Sequence, residues 1–326
     1  MVLKDVNYGS FDVREPVLIE LINSDAVQRL KRLDQMGVPQ KYYPFAGFSR
    51  FEHSLGVMLL LRKLDARLEE QVAGLIHDAS HLAFSHTVDW AIAEGMKGNE
   101  DLQDNNHMIM LAETTIPKTL KKFGLDFGTV TDIKRFKLLE SDAPSLCADR
   151  LDYALKEFYY CGSKAVAKQC VEDLMSFDGR TVFRSKEAAG VFGRNYMALQ
   201  NGHWGGQEAV TQYYLLSRII KAGLEKQVIS FEDLKTDDEY VMDKLEKTKE
   251  EEIRNYLRLL LYKGKLPKNK AGKSEKVRKK FRHVDPKYLD NGIVRRLSES
   301  EFGYGNLLEE SRKLNQKGIT IRLGPS

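Results

Sequence analysis

Apolar residues recur at three-to-four spacing through 16–36, 54–64, 69–80, 86–96, 145–161, 187–200 and 207–223, the period of helices that bury one face. The pattern predicts a mainly α-helical chain. Gly37 follows the run Asp25–Met36 as an exit, Ser141, Asp142 and Pro144 mark an entry, and Gly162 marks another exit. Period-two segments are few. Ser176–Phe183 reads as a short β-hairpin, because Asp178-Gly179 supplies the positive φ angles that a tight primed turn requires. A second short strand is expected at Ile319–Leu323, and the charged stretch Asp237–Arg254 suits a solvated helix. No internal repeat is present.

A chain of 326 residues can bury a substantial core without disulfide staples. Its three cysteines, Cys147, Cys161 and Cys170, lack CxxC spacing and read as reduced, buried thiols. The amino-terminal stretch shows no basic region followed by an apolar one, and no apolar run reaches membrane-spanning length. The expectation is therefore a cytoplasmic protein without membrane contact. The net charge of +4 is unevenly placed: residues 263–282 hold ten Lys/Arg and one acid, Glu275, which leaves 41 bases against 46 acids elsewhere. Gly264, Pro267 and Gly272 argue that this basic cluster is a loop.

Five of the seven histidines, His53, His77, His81, His86 and His107, fall within 55 positions, beside Asp78. A single histidine on an apolar face is more often a hydrogen-bonded core residue, but five together ask for another reason. Imidazole and carboxylate bind divalent metal ions, and with few thiols present an open catalytic shell is favoured over a closed structural one. On a helix over 69–80, His77 and Asp78 share an edge and His81 returns to nearly the same face. His86 returns only if that helix breaks within Leu82–Ser85, with Ser85 as a new N-cap. His203 and His283 stand alone and read as core residues.

Four segments, SRFEHSLGV (49–57), LIHDASHLAFSH (75–86), NNHMIM (105–110) and CADRLDY (147–153), resemble in order the signature of the HD-domain phosphohydrolases, most nearly the deoxynucleoside triphosphate triphosphohydrolase branch. The resemblance spans the first half of the chain and continues more faintly through 202–221 and beyond Val284. It implies a helical HD-domain fold and one divalent metal ion, Mn, Fe, Mg, Co, Ni or Zn, held by His53, His77, Asp78 and Asp149. It further implies Gln35 at the sugar, Arg50 at phosphate, and Tyr153 and Glu157 beside the deoxyribose, although the branch has Asp where Glu157 stands. The sequence departs from the branch at Ser80, Leu82 and Ala83, which replace two glycines and a proline and make the pocket floor bulkier. No amino-terminal interaction domain of the kind found in some relatives is expected.

The implied activity is hydrolysis of a deoxynucleoside triphosphate to nucleoside and triphosphate, with His81 as first candidate for the proton donor and His86 and His107 sharing or positioning that role. The same centre could instead cleave a nucleoside monophosphate or a cyclic dinucleotide. A third reading makes the 263–282 cluster a nucleic-acid contact, although Phe281 is its one aromatic residue. The expected organisation is an HD phosphohydrolase domain over 1–225, with a helical carboxy-terminal extension over 226–326 packed on it. A homo-oligomer is also expected.

Overall fold

The computed structural model describes residues 1–92, 102–266 and 274–323. The chain opens with an antiparallel hairpin, β1 (Val2–Asp5) and β2 (Gly9–Asp12), in the register Val2↔Asp12. Helices follow: α1 (Pro16–Ile22), α2 (Asp25–Arg29), α3 (Arg50–Lys63), α4 (Leu68–Ile76), α5 (His86–Ile92), α6 (Leu102–Ala112), α7 (Ile116–Lys122) and α8 (Phe127–Thr131). Next come α9 (Ala148–Cys161), α10 (Lys164–Asp173), the hairpin β3 (Leu174–Phe177) and β4 (Arg180–Phe183), α11 (Lys186–Leu199) and α12 (Gln207–Glu225). The remainder is α13 (Phe231–Leu234), α14 (Asp238–Lys247), α15 (Glu251–Leu260), β5 (Ser274–Val277), β6 (Lys287–Asp290), β7 (Ile293–Arg296), α16 (Leu297–Ser300), α17 (Phe302–Lys317) and β8 (Ile319–Arg322). The mainly α expectation holds.

Helix α3 runs through the middle of the core. Val57 to Leu61 are fully buried in succession, as they must be on a helix covered on all sides. Its start is fixed by a capping box: Ser49 accepts the Glu52 N–H, while the Glu52 carboxylate accepts the Ser49 N–H. Two glycines let neighbours approach it. A Cβ on Gly74 of α4 would lie 2.4 Å from Leu61, and one on Gly56 would lie 2.1 Å from the Asp152 carboxylate of α9. Both helices therefore pack on α3 at closer range than any side chain would allow.

Several expected boundaries shift, each for a local reason. The 16–36 run divides into α1, α2 and a 3-10 turn because Asn23 and Ser24 turn their side chains back onto the Ile19 and Leu21 carbonyls. The apolar spacing continues across the break since both helices face one core. Helix α4 ends at Ile76, so His77–Ser80 form a turn rather than helix. Helix α9 begins at Ala148, after a cis Ala143-Pro144 bond and an extended Cys147. The expected helix over 237–254 is two, because Thr248 is extended, and Asp238 is buried rather than solvated.

Asp178 and Gly179 take positive φ and close the hairpin β3–β4 as expected. It does not stand alone: β6 adds in parallel at Phe183↔Tyr288 and β7 completes the order β3-β4-β6-β7. The helical carboxy-terminal region therefore also carries short strands. Within the basic cluster, residues 267–273 lie outside the described residues, and 274–277 form β5, paired with β8, in place of the expected loop. The strand expected at Ile319–Leu323 is this β8. Among the described residues no helix is long and apolar enough to cross a membrane. Cys147 and Cys170 are buried, but Cys161 is exposed; all three are free.

Candidate metal centre

Three elements of the core bring the ligand-type residues together. Helix α3 contributes Arg50 and His53, one turn apart; the turn after α4 contributes His77 and Asp78; the first turn of α9 contributes Asp149, where a carboxylate also complements the helix dipole. The His53 Nε2 lies 2.9 Å from Asp149 Oδ1 and 3.9 Å from Asp78 Oδ2. The His77 Nε2 lies 3.4 Å from Asp78 Oδ1 and 3.6 Å from Asp149 Oδ1. Tetrahedral or octahedral ligands bound at about 2.0–2.1 Å stand roughly 3 Å apart, so these separations suit a common ion.

The hydrogen bonds around the cluster aim the nitrogens inward. His77 Nδ1 donates to the Gly74 carbonyl at 2.7 Å, and its Nε2, though buried, has no hydrogen-bond partner. His53 Nδ1 meets Asp152 Oδ2 at 2.7 Å, which leaves Nε2 for an ion in the usual carboxylate–histidine arrangement. Asp152 in turn accepts from Lys156 Nζ at 3.0 Å, and Lys156 donates to Asp5 of the amino-terminal hairpin at 2.7 Å. All three groups are buried. The donor set therefore fits a divalent ion.

The charges agree with that geometry. Burial disfavours the charged form of Asp149, but the bond from His53 and the neighbouring His77 ring outweigh it and hold the carboxyl far below its usual range. Asp78 is held down likewise, against burial, by the Arg50 guanidinium. Burial lowers the His53 pKa, but Asp149 and Asp152 overcome it and raise the ring to about 9. His77 is also raised against its burial, chiefly by Asp78. Without an ion the cluster stores protons where an ion would put charge.

Around this core stand the other residues singled out from sequence. Arg50 is buried and donates to Asp78 Oδ2 and Ser85 Oγ, both at 2.6 Å. Ser85 thus has its hydroxyl engaged by Arg50; the break starts earlier than expected, running from His77 to Ser85, where Phe84 and Ser85 take positive φ before α5 begins. The break does bring His86 back, its ring 5.2 Å from that of His81 and its Nδ1 2.9 Å from Asp89. His81 Nε2 stands 3.2 Å from Asp78 Oδ1. His107 is linked through Nδ1 to Ser80 Oγ at 2.7 Å, so the first departure from the glycine pattern holds a histidine in place. Burial and the Arg50 charge lower the His81 pKa to about 3, and burial with the His77 charge lowers His107 to about 4.

Gln35 is adjacent, its Oε1 buried without a partner. The Tyr153 ring lies 6.3 Å from His53 and its hydroxyl is 2.6 Å from that of Tyr196. Glu157, one turn further along α9, is fully buried and faces His203. Arg150 turns away, to the Ser141 and Ser145 carbonyls. Sequence reasoning missed Asp152, Lys156 and Asp5. Asp152 and Lys156 lie three and seven residues after Asp149, the same-face spacing of a helix, and were legible; Asp5 was not. It also missed Glu140, which burial and the nearby Asp149 push up to about 7.

Comparison with known proteins extends the picture. Residues 50–153 match the family model described as HD domain. The chain is 35% identical to the uncharacterized protein YdhJ of Bacillus subtilis over 99% of both chains. It is 34% identical to the metal-dependent phosphohydrolase cns2 of Cordyceps militaris, over 68% of this chain and 65% of that protein. It is 27% identical to the deoxynucleoside triphosphate triphosphohydrolase SAMHD1 homolog of Dictyostelium discoideum, over 57% of this chain and 42% of that protein.

Proposed function

Since the chain belongs to the HD-domain family and is a metal-dependent phosphohydrolase, we propose that its substrate is a deoxynucleoside triphosphate, cleaved to nucleoside and triphosphate. One observation supports this reading most: three buried polar atoms near the metal-type cluster, Gln35 Oε1, His81 Nδ1 and His107 Nε2, have no hydrogen-bond partner among the described residues, and the Arg50 guanidinium is buried as well. Unpaired buried polar atoms cost free energy unless a ligand satisfies them. A polyphosphate with a sugar attached offers both the anionic oxygens and the hydroxyl that such a lining would take.

The residues then divide the work. His53, His77, Asp78 and Asp149 would hold one divalent ion, Mn, Fe, Mg, Co, Ni or Zn, which would polarise the phosphoryl group and make a bound water more acidic. Arg50, fixed by Asp78 and Ser85, presents its guanidinium to a phosphate oxygen beside that ion. Gln35 and Tyr153 face the sugar. His81 supplies the proton to the departing 5′-oxygen; burial and Arg50 keep it neutral in the free site, and the negative charge of the arriving triphosphate acts in the opposite direction. His86 packs its ring edge against His81, and His107, tethered by Ser80, lines the same wall.

A second reading, a nucleoside monophosphate or cyclic dinucleotide as substrate, is supported by Leu82 and Ala83, whose side chains occupy the loop where the resembling branch has glycine and proline. Filter binding across a salt series tests the 263–282 segment as a nucleic-acid contact, and sedimentation tests assembly into a homo-oligomer. The deciding experiment incubates the protein with each nucleoside triphosphate under each metal and resolves the products, with a His77→Ala/Asp78→Ala control. Tripolyphosphate plus nucleoside, absent from the control, supports the first reading. Orthophosphate or a linear dinucleotide moves the assignment to the second.

A further inference from the structure

Away from the HD centre, the structure brings a second set of ligand atoms to one point. Glu157 and Cys161, four residues apart on α9, share a face of that helix, and His203 arrives from the π-helical turn Gln200–Trp204 that follows α11. One oxygen of Glu157, Cys161 Sγ and one ring nitrogen of His203 lie within 4.8 Å of one another. We propose that these three side chains form a second metal site, one that takes Zn²⁺ and, as its spectroscopic substitute, Co²⁺.

The polar atoms argue for it. Glu157 is fully buried, its carboxylate has no well-aligned donor among the described residues, and its polar neighbours are His203 and the Cys161 thiol. His203 Nδ1 stands 2.9 Å from Glu157 Oε2 and is likewise without a hydrogen bond, because the two groups are out of line. Close approach without alignment is what two lone pairs show when both aim at a third point. At the HD centre His77 Nε2 also lacks a hydrogen bond among the described residues, with carboxylate oxygens of Asp78 and Asp149 at 3.4 and 3.6 Å. A buried carboxylate left so costs free energy, and a cation removes the cost.

The surroundings fix the histidine as a ligand. Its Nε2 meets the Tyr43 hydroxyl at 2.9 Å, which leaves Nδ1 as the coordinating nitrogen, and the Phe45 ring packs against it at 4.0 Å. Its backbone belongs to a π-helical turn, a local distortion that recurs at functional sites because it re-aims a side chain. Cys161 is exposed, with Sγ 3.3 Å from the Ala46 carbonyl, so an ion can enter from solvent and keep a water as its fourth ligand. In the metal-free chain the thiol is protonated, since burial of its sulfur and the Glu157 charge push it up to about 12. Binding displaces that proton to solvent, forms the sulfur–metal bond, and leaves one thiolate and one carboxylate opposite two positive charges.

Chemistry separates the two centres. The HD centre has nitrogen and oxygen donors alone, whereas a thiolate makes this site softer and selective for zinc. An ion here would tie α9 and the π-helical turn to the segment carrying Tyr43, Phe45 and Ala46, which runs directly into Ser49 and Arg50. It also takes Glu157 out of the sugar-contacting role implied by the family resemblance. The inference does not depend on the identity of the substrate.

The test uses the full chain loaded with Co²⁺, in wild type, Cys161→Ser and His77→Ala/Asp78→Ala forms, each checked by circular dichroism. Expected are two ions per wild-type chain and one in each variant. A near-ultraviolet sulfur-to-cobalt charge-transfer band should be present in wild type and in His77→Ala/Asp78→Ala, and lost in Cys161→Ser. As a measurement free of any change at this site, stoichiometric Zn²⁺ should slow alkylation of Cys161 in His77→Ala/Asp78→Ala, read by peptide mass. One ion per wild-type chain, no charge-transfer band, a band that survives Cys161→Ser, or alkylation indifferent to Zn²⁺ overturns the site. Loss of phosphohydrolase activity bears on none of these readouts, so failure of the proposed substrate and failure of this site are distinguishable.

Discussion

Replacing Asp152 by Asn tests whether the metal centre is built from below. Asp152 is fully buried behind His53; it fixes that ring through Nδ1 at 2.7 Å and is itself held by Lys156 at 3.0 Å. Removing such a supporting carboxylate weakens metal binding by about 10–100-fold, or roughly 1.4–2.7 kcal/mol. A second effect opposes it. With His53 raised to about 9, its ring is mostly protonated at pH 7, and that proton competes with the metal by roughly 3 kcal/mol. Asp152 is part of the cause of that rise, so Asp152→Asn lowers the ring's pKa and returns some affinity at neutral pH. The two effects separate in a pH series. Wild-type affinity for Mn²⁺, measured by chelator competition, should climb with pH and level off near the His53 pKa of about 9; the variant should level off at lower pH and at a weaker plateau. The sign for the metal-free fold follows: a folded-state pKa raised above about 6.5 stabilises below that pH, and the contribution fades as pH rises through about 9. Equal plateaux within twofold would refute the supporting role of Asp152.

Other expectations follow from the same packing. Gly56→Ala places a methyl 2.1 Å from Asp152 Oδ1 and 2.3 Å from Lys156 Nζ, so that buried ion pair must shift; a loss of about 1–3 kcal/mol and weaker metal binding are expected, read by denaturant melts and metal titration. Asp5→Ala removes one of the two carboxylates on buried Lys156 and should cost up to about 3–5 kcal/mol in stability while freeing the amino-terminal hairpin to exchange amide protons faster; an unchanged melt would show that the hairpin is not anchored there. Ser80→Gly restores the residue found in the resembling branch but releases His107; turnover should fall with metal affinity retained, and an unchanged rate would remove His107 from the mechanism. Arg50→Lys keeps the charge but loses the fork that joins Ser85 and Asp78, so KM for a triphosphate should rise at least about tenfold, and equal KM would exclude Arg50 as a phosphate contact.

The four metal-type residues were legible because metal binding restricts residue type strongly, and their order along the chain repeats a known pattern. The helices were legible in type, since burial of one face imposes its period whatever the neighbours. Their ends were less so. Asn23 and Ser24 split a run whose apolar spacing never changes, and the α4 helix stops short of His77 although its pattern runs on to 80. Spacing records which side of a segment is buried, and a break that preserves that side leaves no trace.

What the sequence by itself determined is therefore local and chemical: a mainly helical chain, a tight Asp178-Gly179 turn, and a set of imidazoles and carboxylates able to hold an ion. What tertiary structure decided is every pairing between distant segments. Asp5 reaches Lys156 across 151 positions, β4 finds β6 across more than a hundred, and His203, which read as a lone core residue, meets Glu157 and Tyr43. Such contacts leave no periodic signal, because each is set by how whole helices pack, and packing depends on the sum of all side-chain shapes rather than on any spacing along the chain.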